Sequence, residues 1–150
     1  MIEIAKEPFD PADKLSIFQN GSSDDGAIVS FVGKVRGQAE HEAVTTLKLE
    51  HFPGMTERSI QEFMKTVFER WSINRVSIVH RVGDLSPGEP IVMVCVSAAH
   101  RRQAFEAADF LMDFLKTKAM FWKKEIRSGS EAWIEPRTED YDDVKRWDKG

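Results

Sequence analysis

A single cysteine, Cys95, stands in the whole chain, inside the apolar run IVMVCVSA. One thiol cannot close an internal disulfide, which fits a reducing cytoplasm. Nor can it build a cysteine-ligated zinc or iron–sulfur centre within one chain, so Cys95 reads as a small buried hydrophobe. Long apolar runs are absent too. Nothing approaches the ~18 consecutive apolar residues of a membrane span, and the opening MIEIAKEPFD lacks the apolar stretch of a secretory leader. Positive charge is in deficit: 21 lysines and arginines face 25 aspartates and glutamates, a net charge of −4. That argues against a general nucleic-acid or membrane-surface binder, which carries a basic face. Basic chemistry in this chain must therefore be local. The signatures GxGxxG, P-loop, HExxH and GxSxG are missing. The four histidines, His41, His51, His80 and His100, lack metal-ligand spacing, and no metal site is expected.

What remains is an ordinary soluble composition, 41% hydrophobic and 31% charged over 150 residues. A chain of that length buries roughly 68–70% of its unfolded surface, enough for one domain with a real core. Asp10-Pro11 reads as the cap and first residue of a short helix that Asn20-Gly21 ends, with SSDDG as a loop. Gly26–Arg36 is β-rich, with Gly33 a bulge or close approach. A polar loop spans 37–42, and Val44–His51 alternates with Leu47, Leu49 and His51 on one face. Pro53-Gly54 breaks the chain. Ile60, Phe63, Met64, Val67, Phe68 and Trp71 then form one apolar stripe of a helix over 55–71. Strands follow over 76–81 and 91–97 around an SPGE turn. A second long helix spans 98–118, with Ala104, Ala108, Leu111 and Leu115 as its stripe, widened by Phe105, Met112 and Phe114. A hairpin around RSGS pairs 121–126 with 131–135. The order indicates an α+β fold of antiparallel sheets and two long amphipathic helices. One domain is expected over 1–137, followed by a polar tail, 138–150, mobile unless docked.

Three segments concentrate basic chemistry. In LKTKAMFWKKE, Leu115–Glu125, Lys116 and Lys118 close the second helix, while Lys123 and Lys124 open the strand after it. A lysine partly buried beside other cations has a lowered pKa and can move protons or act as a nucleophile. A solvated helix end, where cations are favoured anyway, is the plain alternative. In SAAHRRQAF, His100, Arg101 and Arg102 occupy the first turn of that helix, where free N–H groups favour an anion. In FVGKVRG, Arg36 either clamps an anion bidentately or, like Lys34, is a solvated edge charge.

Taken in order from Asp25 to Arg137, the segments DGAIVSFVGKVR, LKLEHFPGM, HRVGDLSPGE, AHRRQAFEA, LKTKAMFWKKE and EAWIEPR resemble the catalytic (large) subunit family of molybdopterin synthase. The resemblance implies an α/β-hammerhead fold and a homodimer at the centre of a heterotetramer. It implies a small ubiquitin-like sulfur-carrier subunit whose Gly-Gly C-terminus, ending as a thiocarboxylate, threads into the large subunit's pocket. The activity implied is a sulfurtransferase of molybdenum cofactor biosynthesis. It moves two sulfurs onto cyclic pyranopterin monophosphate, giving the dithiolene, with no cofactor of its own.

Matched residue by residue, the family pattern puts Phe31, Arg36, His100, Arg101, Lys116 and Lys123 in the pocket. Lys116 and Lys123 would be the catalytic pair and the others substrate-binding. It assigns Arg137 to the neighbouring subunit's pocket. A chain reversal after the second helix would bring Lys116 and Lys123 beside Phe121 and the basic first helical turn. Met120 departs from the family's usual proline, which frees the corner that carries Lys123. Two other readings use the same residues. One is a non-catalytic module that binds a phosphorylated small molecule. The other is a single-stranded RNA binder that stacks bases on Phe31, Phe121 and Trp122.

Overall fold

A computed structural model describes residues 1–21 and 23–148. Ser22 of the SSDDG loop and Lys149 and Gly150 at the end of the tail lie outside the described residues. The central run IVMVCVSA becomes β7 (Pro90–Ala98), flanked by β2 (Ala27–Lys34) and β5 (Ile73–Arg81). Both neighbours pair with it antiparallel. A short strand that the pattern did not reveal, β1 (Ile2–Ala5), adds to β5 in parallel and completes the order β1-β5-β7-β2. Four residues carry too little alternation to read, and this strand's partner lies more than seventy positions away. Gly33 is both things expected of it. The register slips between Gly33 and Lys34, and a side chain there would meet Val92 Cγ1 at 2.9 Å.

β7 is apolar throughout because both faces of this sheet are covered. On one face Val79, Met93 and Cys95 pack with Phe18 of α1 (Pro11–Gln19). Asp10 caps that helix, its carboxylate accepting from Ala12 N–H at 2.9 Å. On the other face Ile78, Val94 and Val96 meet α2 (Met55–Arg70) and α3 (Arg101–Thr117) through Ile60, Val67, Ala104, Ala108, Leu111 and Leu115. These are stripe residues expected from the helical spacing. Two details differ. Phe110 is 1% exposed and anchors the core, whereas Phe105, expected to widen the stripe, is 56% exposed.

The second sheet is antiparallel. It runs β3 (Gln38–Ala39), β4 (Glu42–His51), β8 (Phe121–Arg127), β9 (Glu131–Ile134), with β6 (Gly83–Leu85) also paired to β4. The polar segment 37–42, expected as a loop, is a tight hairpin. Glu40 and His41 take φ of 51° and 67°, the two positive values of a type I′ turn. Arg127 holds the turn down, donating to Glu40 at 3.1 Å.

The tail is docked. Residues Thr138–Lys145 form α4, followed by a 3₁₀ turn at Arg146–Asp148. Trp147 packs edge-on to Trp71 and Phe110, ring centroids 5.5 Å away in each case. Its indole N–H donates to Asp113 at 2.6 Å, and Arg146 reaches Asp109 and Asp113 at 2.8 and 2.7 Å. Phe110 thus supports the sheet, α3 and the tail together. Phe110→Ala should lower unfolding free energy by about 3–5 kcal/mol, measured by urea denaturation. Trp147→Ala should raise amide exchange in α4 and leave the amides of β7 protected.

Candidate active site

The site forms where α3 ends and the chain turns into β8. A proline is not needed to hold that corner. Thr56, fully buried at the start of α2, donates its hydroxyl to the Met120 carbonyl at 2.7 Å and accepts the Phe52 N–H at 2.9 Å. The Phe121 N–H closes a tight turn onto the Ala119 carbonyl at 3.0 Å. The freedom expected from Met120 is therefore removed by a side chain from another helix. Beyond the corner, Phe121 stacks on the buried His80 ring at 3.8 Å and 13°. His80 Nδ1–H donates to the Arg81 carbonyl at 2.8 Å, a tautomer assigned from the acceptor it faces.

Strand alternation then turns Lys123 inward and Lys124 outward. Lys124 pairs with Glu131 at 2.8 Å and lies over the Trp133 ring at 5.4 Å. Lys123 faces a cavity of about 440 Å³ whose lining includes Arg36, Lys116, Phe121, Arg137 and Asp140. Burial and the neighbouring Lys116 charge lower the Lys123 pKa to about 8, against partial opposition from Asp140. His80, buried behind Phe121 and facing Lys123, is pushed down to about 3 and stays neutral at any physiological pH. Burial raises the Asp140 carboxyl. Hydrogen bonds from the Arg137 side chain and backbone outweigh that, and its pKa ends below the ordinary value.

Four of the sequence-derived residues meet here in one chain: Arg36, Lys116, Lys123 and Arg137. Arg137, expected in a neighbouring subunit's pocket, lines the cavity of its own chain, because the β9–α4 connection folds back over the end of α3. His100 and Arg101 do not join them. They line a separate cavity of about 450 Å³ with Gly26, Ala99 and Arg102, at the start of α3. Fifteen residues of helix between Arg101 and Lys116 correspond to a rise of about 22 Å. The expectation that the first helical turn lies beside the lysine pair is therefore wrong for a single chain. Phe31 lines neither cavity. It sits 42% exposed on β2, one of the two edge strands of the first sheet.

The aromatic set of an RNA platform is also dispersed. Phe121 faces inward onto His80, while Trp122 turns the other way onto Phe52, centroids 4.1 Å apart. Sequence reading missed Thr56, His80 and Asp140. The spacing Arg137-x-x-Asp140 does carry a local signal. It is a capping-box pattern, and Asp140 accepts the Arg137 N–H at 2.8 Å.

A lysine ammonium that titrates near 8 when folded and near its ordinary 10.5 when unfolded binds more protons in the unfolded state between those values. Stability should therefore rise with pH across about 8 to 10.5, and Lys123→Met should flatten that rise. In ¹³Cε NMR titrations Lys123 should show a midpoint near 8. Lys116→Met, by deleting the like charge, should move that midpoint up.

Comparison with known proteins agrees with the resemblance read from the sequence. A family model described as MoaE protein matches residues 4–118. A molybdopterin synthase catalytic subunit of Yersinia pestis is 47% identical over 146 residues, covering 97% of this chain and 96% of the relative. A solved structure of a molybdopterin biosynthesis MoaE protein from Burkholderia ambifaria superposes with a TM-score of 0.83. It is 39% identical and covers 100% of this chain and 99% of that one. A molybdopterin synthase structure from Staphylococcus aureus gives a TM-score of 0.80 at 28% identity, over 88% and 95% of the two chains. With matches spanning nearly its whole length, and the same fold underneath, the chain belongs to the MoaE family of molybdopterin synthase catalytic subunits.

Proposed function

We infer that this chain is the catalytic subunit of molybdopterin synthase and transfers two sulfurs to cyclic pyranopterin monophosphate, forming the dithiolene. The observation that carries the reading is the cavity itself. It holds two lysines, one with a pKa lowered to about 8, and two arginines, in a chain whose net charge is negative. Its volume suits a small ligand, and its charge suits a substrate that carries a phosphate. The sulfur donor is a small ubiquitin-like carrier with a Gly-Gly C-terminus ending as a thiocarboxylate. Its sulfur is the nucleophile, so the buried Cys95, whose thiol pKa burial raises to about 11, is not needed.

Each transfer forms a bond from the carrier's sulfur to a pterin side-chain carbon and expels an oxygen that must gain a proton. Water then cleaves the carrier's acyl–sulfur bond, leaving the sulfur on the pterin and returning the carrier's C-terminal carboxylate. Lys123 is poised to supply or remove the proton of the expelled oxygen near neutral pH, because its conjugate base is accessible there. Lys116 keeps it so through like charge. Arg36 and Arg137 hold the anionic ends. His100 and Arg101 serve the same substrate only from a second copy, which supports a homodimer within a heterotetramer. The free N–H groups and cations at the start of one α3 then complement the lysines at the end of the other. A reducing compartment, the cytoplasm, suits a chain with one buried free thiol. No helix among the described residues is long and apolar enough to cross a membrane.

The direct test is to mix the purified chain with thiocarboxylated carrier and precursor and to assay for dithiolene. Saturable precursor binding without turnover would instead identify a non-catalytic module for phosphorylated ligands. Lys116→Ala and Lys123→Ala should each lose about 10²–10⁴-fold in rate while staying folded, whereas Lys118→Ala and Lys124→Ala should be mild. Mixed dimers separate the two basic clusters. Arg101→Ala and Lys116→Ala chains should complement when co-assembled, since one pocket keeps both groups. Arg137→Ala and Lys116→Ala chains should not, since both residues belong to one chain's cavity.

A further inference from the structure

Asp140 is the buried carboxylate of a strongly basic cavity. An aspartate in the first turn of an eight-residue surface helix ordinarily faces water, and its neighbours Glu139 and Asp142 do so. Asp140 is 8% exposed, and both of its oxygens are engaged. Oδ2 accepts the backbone N–H of Arg137 at 2.8 Å, and Oδ1 accepts from Arg137 Nη2 at 3.1 Å. The first bond alone would cap the helix, and an exposed side chain makes it equally well. Burial adds something else: the carboxylate lines the same cavity as Lys116 and Lys123. The Arg137 side chain remains 71% exposed. A guanidinium has five N–H donors, so with one committed to Asp140 the others stay free for an incoming anion. The helix that carries Asp140 is itself fixed at its far end, where Trp147 and Arg146 dock on Asp113.

We propose that Asp140 is a positioning residue of this site: it fixes the Arg137 guanidinium at the cavity and supplies the carboxylate counter-charge to the Lys116–Lys123 pair. The role rests on the sulfur-transfer reading above and deepens it, by making α4 a wall of the site. The groups around Lys123 come from every neighbouring element. Lys116 comes from α3, Arg36 from the segment after β2, and Glu135 and Arg137 from the β9–α4 connection. Asp140 and Tyr141 come from α4, His80 of β5 stacks behind Phe121, and His51 of β4 is the cross-strand partner of Phe121. Among them Asp140 opposes the effects of burial and Lys116 on Lys123. Without it, the ammonium should lose its proton at lower pH.

Asp140→Asn keeps an oxygen for the helix cap and removes the charge. It should shift the Lys123 midpoint, read by ¹³Cε NMR in the free protein, below its wild-type value. The pH limb of kcat should move the same way. The KM for the pterin should rise about tenfold, the scale of one lost charge-assisted contact, while plateau kcat changes little. Asp140→Glu should restore the midpoint. Asp142→Asn, an exposed change on the same helix, should alter nothing. A double-mutant cycle guards against an undocked helix. If Asp140 acts through Arg137, Asp140→Asn in an Arg137→Gln background should add no further rise in KM. Additive losses, or an unchanged Lys123 midpoint together with an unchanged KM, would overturn the proposal. Absence of dithiolene formation by the wild-type chain would instead sink the sulfur-transfer reading, and the NMR midpoint would still report whether Asp140 sets the lysine's charge.

Discussion

The burial of one face of α3 is the interaction on which the rest depends. Ala104, Ala107, Ala108, Phe110, Leu111 and Leu115 pack against β7 and its neighbours with almost no exposure. Small residues let the helix lie close to the sheet, and Phe110 closes the gap toward α2 and the C-terminal turn. Because that face is fixed, both ends of the helix are fixed as well. One end presents His100 and Arg101 to solvent. The other delivers Lys116 to a corner where β8, the β9–α4 connection and α4 converge. A rigid rod with a basic cluster at each tip cannot bring the two together, and a second copy of the chain can.

The charge arrangement at the corner is costly and specific. A lysine ammonium with little solvent beside a second lysine is disfavoured, and the structure responds by lowering its pKa rather than by neutralising it with a close ion pair. Lys124, one residue on, has such a pair and an aromatic face besides, and nothing about it suits proton transfer. The contrast between adjacent lysines comes from strand alternation alone. The neutral His80 beneath Phe121 belongs to the same economy. A cation there would add like charge behind the pair, and burial keeps His80 uncharged.

The corner is held without a proline. A proline before Phe121 would restrict the turn through its own backbone. Here Met120 leaves the backbone free, and Thr56 ties its carbonyl from the start of α2. The restraint here is a buried hydroxyl, and strand alternation from Phe121 carries Lys123 to the cavity side.

Much of this was legible in the chain itself. Both long helices, the apolar β7, the alternation of β4 and the opposite facing of Lys123 and Lys124 follow from period and spacing, because those properties are set by residues a few positions apart. The basic segments announced their chemistry through residue type. What the chain alone did not determine depends on partners distant in sequence. β1 needs β5, Thr56 needs Met120, and the tail needs Phe110 and Asp113 before it becomes α4 and a wall of the cavity. Arg137 and Lys116 are 21 positions apart and line one cavity, whereas Arg101 and Lys116 are 15 apart and stand at opposite ends of a rod. Local pattern decides which element a residue joins and which way it points. Only the packing of those elements decides which charges meet, because proximity in space is fixed by buried apolar contacts that the charged residues themselves do not make.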